Sequence, residues 1–252
     1  MPPTKAPVLL INRLLATLPS KDHQYVMENC ESVELHLAEV ISEAGDPIRH
    51  VYFPTDSFIS LVTPPDSNAG LEVGLVGSEG MVGTPLILGI QETLLRTFVQ
   101  GAGPAWSMSS ERFCDVLKQS SALQTTLNRY LYVLMNQLAQ MVTCTRFHVV
   151  EARLARWLLM TQDRAHSDHF HITHEFLAFM LGVRRVGVTK AASVLQQHKL
   201  IHYSRGNITI IDRVGLQAAS CGCYGAAESL YNQMLGVNAI DSRRKSAKKT
   251  VA

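Results

Sequence analysis

Residues 172–211 read ITHEFLAFMLGVRRVGVTKAASVLQQHKLIHYSRGNITII, and this stretch decides the fold. Thr173 is an N-cap candidate, and Glu175 in the first turn suits the positive end of the helix dipole. Phe176–Leu181 form a short apolar helix that Gly182 stops, and a second helix is predicted from about Arg184 to His198. Ala178 is small enough to let the two helices approach. Gly182, four residues on, supplies the positive φ of a tight turn, and Val188, six further on, fills the angle between the helices. Ala191, Ala192 and Leu195 continue the buried face. Two β-rich runs, Leu200–Tyr203 and Ile208–Ile211, flank the turn Ser204-Arg205-Gly206-Asn207, which predicts a hairpin. A helix-turn-helix followed by a hairpin is a winged helix, a module that reads DNA.

Upstream the texture changes twice. Residues 120–181 contain neither Pro nor Gly. Within them Leu127, Leu131, Leu134, Leu138, Met141 and Thr145 follow a 4-3-4-3-4 spacing, a heptad seam of about two and a half repeats. The seam predicts a parallel dimer helix; a helix packed on its own domain is the alternative. A shorter helix, Glu111–Gln119, precedes it behind Ser109 and Ser110. Residues 31–108 instead carry short apolar runs: Val33–Val40, Val51–Phe53, Phe58–Val62, Leu71–Val76 and Arg96–Gln100. Turn-forming sequence separates them, including Gly45-Asp46-Pro47, Pro64-Pro65-Asp66-Ser67-Asn68 and Gly101-Ala102-Gly103-Pro104. Such strands predict an all-β barrel or sandwich. An N-terminal helix is expected from about Asn12 to Asn29.

The 252 residues are 46% hydrophobic and 17% charged, which excludes a wholly disordered chain and allows one large domain or two ordinary ones. No apolar run approaches the roughly 18 residues of a membrane helix. Asn12 and Arg13 cut the Val8–Ile11 patch short of a secretory h-region, so a cytoplasmic protein without a membrane partner is expected. The net charge of +2 hides an asymmetry. Residues 1–145 hold eight Lys and Arg against fourteen Asp and Glu, residues 146–216 ten against five, and residues 217–252 five against two. Seven of the ten histidines also lie in 146–216. An acidic front and a basic back suit two domains with different partners, the back one a polyanion.

The order of these parts resembles the Crp/Fnr (cAMP receptor protein/FNR) family of bacterial transcription regulators over roughly residues 12–220. Ile172-Thr173, Leu181-Gly182-Val183-Arg184-Arg185, Val188, Leu195, Leu200-Ile201 and Arg205-Gly206 carry the resemblance in the C-terminal part. It implies an α+β fold: a cyclic-nucleotide-binding-like β-roll (12–118), a dimerisation helix (119–147) and a winged helix-turn-helix (148–220), then an extension (221–252). It implies double-stranded DNA, a second copy of the chain and RNA polymerase as partners. It makes Arg185, Val186 and Lys190 base-facing, and their offsets share one helical face. Arginine's fork can bond guanine O6 and N7 together, worth roughly 1–3 kcal/mol of discrimination. Lys190 can bond guanine or phosphate. Val186 stands where cAMP-responsive members carry glutamate, and valine can only touch a thymine methyl, so the family's best-known operator is not expected. Arg184, Thr189, Lys199, His202 and Arg205 are candidates for phosphate contact, and each also fits a solvated surface. Gly187 suits either a close approach to the DNA backbone or the turn between the helices.

In the front domain, Gly80-Met81-Val82-Gly83 and Arg96-Thr97 resemble the family's phosphate-binding cassette, which makes Gly83, Thr84, Arg96 and Thr97 effector-binding candidates. Thr84-Pro85 stand where cyclic-nucleotide binders place a ribose-binding glutamate. The change removes a charge-assisted acceptor and a backbone donor. A cyclic nucleotide stays open as effector, and cyclic AMP is argued against. Arg96 reads equally well as a surface or salt-bridge arginine.

The remaining motifs carry less. His166, His169, His171 and His174, with Asp168, have a spacing that can hold zinc or copper, but read first as a polar loop between helices. The five cysteines, Cys30, Cys114, Cys144, Cys221 and Cys223, form no disulfide framework and are expected as free thiols. Cys221-Gly222-Cys223 has one residue between thiols where zinc pairs have two or more, and no second pair follows to complete a tetrahedron. No metal is therefore expected. Cys30 is the only cysteine in the first hundred residues, which argues against a four-thiolate iron–sulfur centre. No Gly-x-Ser-x-Gly elbow, Walker loop or His-Glu-x-x-His occurs, and no catalytic constellation points to an enzyme. The basic end, Ser242–Lys249, reads as a disordered tail that can add nonspecific DNA affinity. The rival reading is a nucleotide- or metal-sensing signalling protein whose C-terminal helices dock a protein partner.

Overall fold

The computed structural model describes residues 11–63 and 70–236. Most of the Val8–Ile11 patch, the Pro64–Asn68 turn and the basic tail lie outside the described residues. Two antiparallel sheets form the front domain. One has the order β1 (Glu31–Leu35), β7 (Gly103–Ser109), β3 (His50–Pro54). The other runs β2 (Val40–Ser42), β6 (Arg96–Gly101), β4 (Phe58–Thr63), β5 (Leu71–Val76). Leu35, Ile59, Val76, Val82, Val99 and Ala105 are buried between them, the inward half of strands whose side chains alternate between two faces. The expected β-roll is present.

Local chemistry shifts several predicted boundaries. The run Val33–Val40 splits into β1 and β2, because Ala38 adopts a left-handed φ of 65° between them. Gly101-Ala102-Gly103-Pro104, expected only as a turn, leads straight into β7, the central strand of its sheet. A Cβ at Gly101 would overlap the Phe58 ring, so glycine there is a packing requirement. The single N-terminal helix is corrected: Pro19 divides it into a 3-10 turn, Leu15–Thr17, and α1, Ser20–Met27. Buried Asn12 anchors this end, donating to the Pro54 and Gly80 carbonyls at 2.9 Å and accepting from the Leu15 amide at 3.0 Å.

Helix α2 (Ser110–Gln119) starts at Ser109, whose hydroxyl accepts from the Arg112 amide, and α3 (Ser121–Phe147) starts at Ser120, which caps Leu123 in the same way. At His148 the backbone becomes extended (φ −105°, ψ 141°), and α4 (Val150–Ala165) begins a second body. This body contains β8 (His169–His171), α5 (His174–Leu181), α6 (Arg185–Gln197), the hairpin β9 (Ile201–Ser204) and β10 (Asn207–Ile210), and α7 (Arg213–Ala219). Its sheet has the order β8-β10-β9, and its core joins Leu154, Leu158, Leu177, Val188, Leu195 and Leu216. A last helix, α8 (Cys223–Leu235), runs back along α3 and places Tyr231 and Leu235 in the core of the front domain.

The two bodies touch through the outer face of the roll. Glu72 on β5 is buried there, accepting from Ser60 Oγ and from Trp157 Nε1 of α4, each at 2.8 Å. Phe176 of α5 meets Phe98 of β6 edge to face, with ring centroids 6.3 Å apart. No helix among the described residues is long and apolar enough to cross a membrane.

Candidate nucleic-acid interface

The helix-turn-helix forms as the spacing requires. Thr173 Oγ1 accepts from the Phe176 amide at the start of α5, and Gly182 ends it in a left-handed conformation (φ 60°). Val188, Ala191, Ala192 and Leu195 are the buried face of α6, so its opposite face is set toward solvent. Arg184, Arg185, Val186, Thr189 and Lys190 are all on that side, and Val186 is 59% exposed although apolar. The Arg185 guanidinium lies 3.9 Å from Glu175, both side chains being largely in solvent, so it is free to leave that partner. A Cβ at Gly187 would meet nothing within 4 Å, which removes the turn between the helices as the reason for glycine there.

The wing is a two-residue turn with Arg205 (φ 49°) and Gly206 (φ 84°) both left-handed, the backbone of a type I′ hairpin. Arg205 and His202 are exposed, as is Lys199, which leaves α6 with φ 58°. The seven DNA-binding candidates are all exposed to solvent. Thr189 is partly committed: its hydroxyl donates to the Arg185 carbonyl and lies 3.1 Å from His174 Nδ1. His174 also stacks on Tyr203 at 4.1 Å between centroids. Burial, and then the Arg185 charge, hold His174 below the usual imidazole range. It braces the two helices and the wing.

His166, His169 and His171 do not gather with His174 into a metal site. His169 pairs with Thr209 and His171 with Asn207 across β8 and β10, while His166 lies 3.7 Å from Asp56. The expected polar loop is in fact an edge strand. Its short length and its run of histidines concealed it, although the alternation of His169, Phe170 and His171 was a signal.

The predicted dimer seam is redistributed. Leu127 is fully buried in the core of its own roll, beside Phe113 and Leu123, and cannot meet a second chain. Leu131 and Leu134 pack partly on that same core, Met141 accepts a contact from Arg156, and Leu138 alone is markedly exposed. The outward apolar row of α3 is Tyr132, Met135, Leu138 and Val142, with Met135 67% and Val142 70% exposed. The helix has two apolar sides, and the leucine spacing runs from the buried one at Leu127 to the exposed one at Leu138.

A cavity of about 480 Å³ opens into the roll. Gly83 and Thr84 line it at the entrance to a 3-10 turn, Thr84–Leu88, and buried Thr97 lines it from β6. Arg96 does not. Neighbouring residues on a strand face opposite ways, and Arg96 points outward to Glu43 at 3.2 Å and lies over the Phe98 ring. Arg49 and His50, which the sequence did not single out, line it together with the polar Asp46, Tyr52, Glu92 and Thr93 and the apolar Ile41, Ile48, Leu61 and Met81.

Residues 152–219, which hold the helix-turn-helix and the wing, match the family model of the Crp-like helix-turn-helix domain. This part of the chain is a Crp-like helix-turn-helix domain. Solved Crp/Fnr structures have the same overall fold at low identity. A transcriptional regulator of the family from Eubacterium rectale superposes with a TM-score of 0.65 at 17% identity, covering 82% of this chain and 96% of the other. FixK2 from Bradyrhizobium japonicum gives 0.64 at 12%, covering 77% and 98%. A CRP/FNR-family regulator from Thermus thermophilus gives 0.63 at 20%, covering 75% and 98%. No curated protein matches the sequence.

Proposed function

We propose that this chain is a homodimeric transcription regulator that reads a near-palindromic DNA site with α6, under the control of an effector held in the roll or active without one. The observation that carries the reading is the solvent-facing row Arg184, Arg185, Val186 and Lys190 on a helix whose other face is buried. Phosphate contacts from Lys199 and Arg205 fix the helix in the major groove, and Arg185 and Lys190 read base edges there. Two copies joined along Tyr132, Met135, Leu138 and Val142 bring two such helices to half-sites about 34–36 Å apart. The roll cavity is mostly apolar but carries Arg49, His50, Asp46, Glu92 and Thr97, which favours a ligand with an apolar body and polar groups that meet both basic and acidic side chains. No residue of this machinery has a catalytic role, and RNA polymerase is the partner through which bound protein acts.

Selection from a random duplex library by the ligand-free protein, with the best binders titrated at two salt concentrations, tests this. Enrichment of an inverted repeat with a steep salt slope supports it. No enrichment, with or without cyclic nucleotides, and weak salt dependence would turn the reading toward a protein-docking signalling module.

A further inference from the structure

Three cysteines and a histidine that are remote in sequence meet at the joint between the two bodies. Cys144 lies in the last turn of α3 and His148 at its C-cap; Cys221 follows α7 and Cys223 opens α8. One ligand atom from each lies within 4.8 Å of all the others. Cys144 Sγ is 3.6 Å from Cys221 Sγ, and Cys223 Sγ is 3.5 Å from His148 Nδ1. Zinc binds sulfur at about 2.3 Å and imidazole nitrogen at about 2.0 Å, so the edges of its tetrahedron measure about 3.5–3.8 Å. The two observed separations are such edges. Four donors this close enclose one ion, whereas an iron–sulfur cluster spreads its thiolates around several metal and sulfide atoms.

The surroundings fit a filled site. All three cysteines are buried and His148 is half-buried, among the described residues the only such group of three or more potential ligands. Gln140 Nε2 donates to Cys223 Sγ at 2.9 Å, the kind of outer hydrogen bond that orients a metal-bound thiolate. Arg156 is 7% exposed, and its Nε has no hydrogen-bond partner among the described residues. Three thiolates and a neutral imidazole around a divalent ion carry a net charge of −1, and Arg156, which reaches Met141 three residues before Cys144 and whose charge acts on Cys144, offers the compensating positive charge.

We propose that Cys144, His148, Cys221 and Cys223 form a Cys3His site for a single thiolate-binding divalent ion of the zinc class. Each thiol gives its proton to solvent as its sulfur–metal bond forms. The ion ties three separate pieces: the end of the long helix, the extended joint at His148, and the segment leading from the winged domain into α8. Filling the site fixes the angle between roll and winged domain. That consequence for DNA binding rests on the function proposed above, whereas the metal site itself does not.

The experiment titrates the full-length protein, stripped by chelator and kept reduced by a phosphine, with Co2+ and then Zn2+. The expected result is one Co2+ per chain, with thiolate-to-cobalt charge transfer and the visible bands of tetrahedral cobalt, bleached by one equivalent of Zn2+. Cys144→Ser, Cys223→Ser and His148→Ala each weaken binding at least tenfold, and the double variant Cys30→Ser/Cys114→Ser leaves it unchanged. Absence of stoichiometric binding by the wild-type protein overturns the site without reference to how any variant folds. So does binding that survives the cluster variants, and so does recovery of Cys144 and Cys221 as a disulfide in protein that takes no metal once reduced. DNA affinity is then compared between stripped and zinc-filled protein. A tenfold or larger difference supports the coupling; equal affinities overturn it while leaving the site in place.

Discussion

Replacing Glu72 by Gln isolates the pH response of the contact between roll and winged domain. Glu72 is 3% exposed, and its carboxylate accepts from Ser60 Oγ and Trp157 Nε1. Burial is the largest influence on it and pushes the carboxyl up from 4.5 to about 7, against the two hydrogen bonds and the Arg164 and Arg156 charges, which pull it down. The folded chain therefore holds this proton in a range where the unfolded chain has released it. Stability falls as pH rises through the window from 4.5 to about 7 and levels off above it. At roughly 1.4 kcal/mol per pH unit, that window amounts to on the order of 3 kcal/mol. Glutamine keeps an acceptor for Trp157 and an amide for Ser60 but has no proton to lose. The Gln variant should thus gain on the wild type by that amount between about pH 5 and about pH 8. Urea unfolding of both proteins followed by circular dichroism, repeated across this range, measures the difference. A stability gap between the two that stays constant with pH, or that moves the other way, refutes the reasoning.

Charge on the outward row of α3, as Met135→Glu or Val142→Glu, should convert the proposed dimer to monomers in sedimentation experiments. Leu127→Ala should instead cost about 2–5 kcal/mol of stability by opening a cavity in the roll, without a selective effect on association. Arg185→Ala should relax preference at one base pair by roughly 1–3 kcal/mol, read by competition between sites. Lys199→Ala should weaken all sequences alike and lower the salt slope by about one. Arg205→Gly should raise the melting temperature, because a left-handed side chain costs about 1 kcal/mol that glycine avoids, yet lower DNA affinity; a fall in melting temperature would contradict the strained turn.

What could be read in advance follows from how far apart the deciding residues lie. Ala178, Gly182 and Val188 specify the helix-turn-helix within a few turns of chain, where close approach, a positive φ and a plugging side chain are local requirements. The wing is equally local, since Ser204-Arg205-Gly206-Asn207 can close only one kind of hairpin. Strand β7 was obscured because Gly103-Pro104 looks like a turn when its neighbours are unknown. Pro104 is tolerated there, and its carbonyl gathers the Thr55 amide and hydroxyl and the Ser57 hydroxyl.

Helix α3 exposes the limit of periodicity. A 3.6-residue period shows that a helix has apolar sides but not which neighbour each side meets. Leu123, Leu127, Tyr130 and Val133 face the roll, while Tyr132, Met135, Leu138 and Val142 face away. The leucine heptad starts on the first side at Leu127 and includes the exposed Leu138, so the spacing alone does not separate inward from outward residues. The cysteines mark the opposite extreme. Cys221-Gly222-Cys223 is an incomplete metal pair by spacing, and its complement comes from Cys144, 77 residues before Cys221, and from His148. Nothing local to either segment encodes that meeting. It is produced by α8 turning back along α3, which the apolar residues Tyr231 and Leu235 drive by entering the core of the roll. The same burial that fixes α8 therefore closes the site, so a change at Tyr231 should loosen metal binding from a distance.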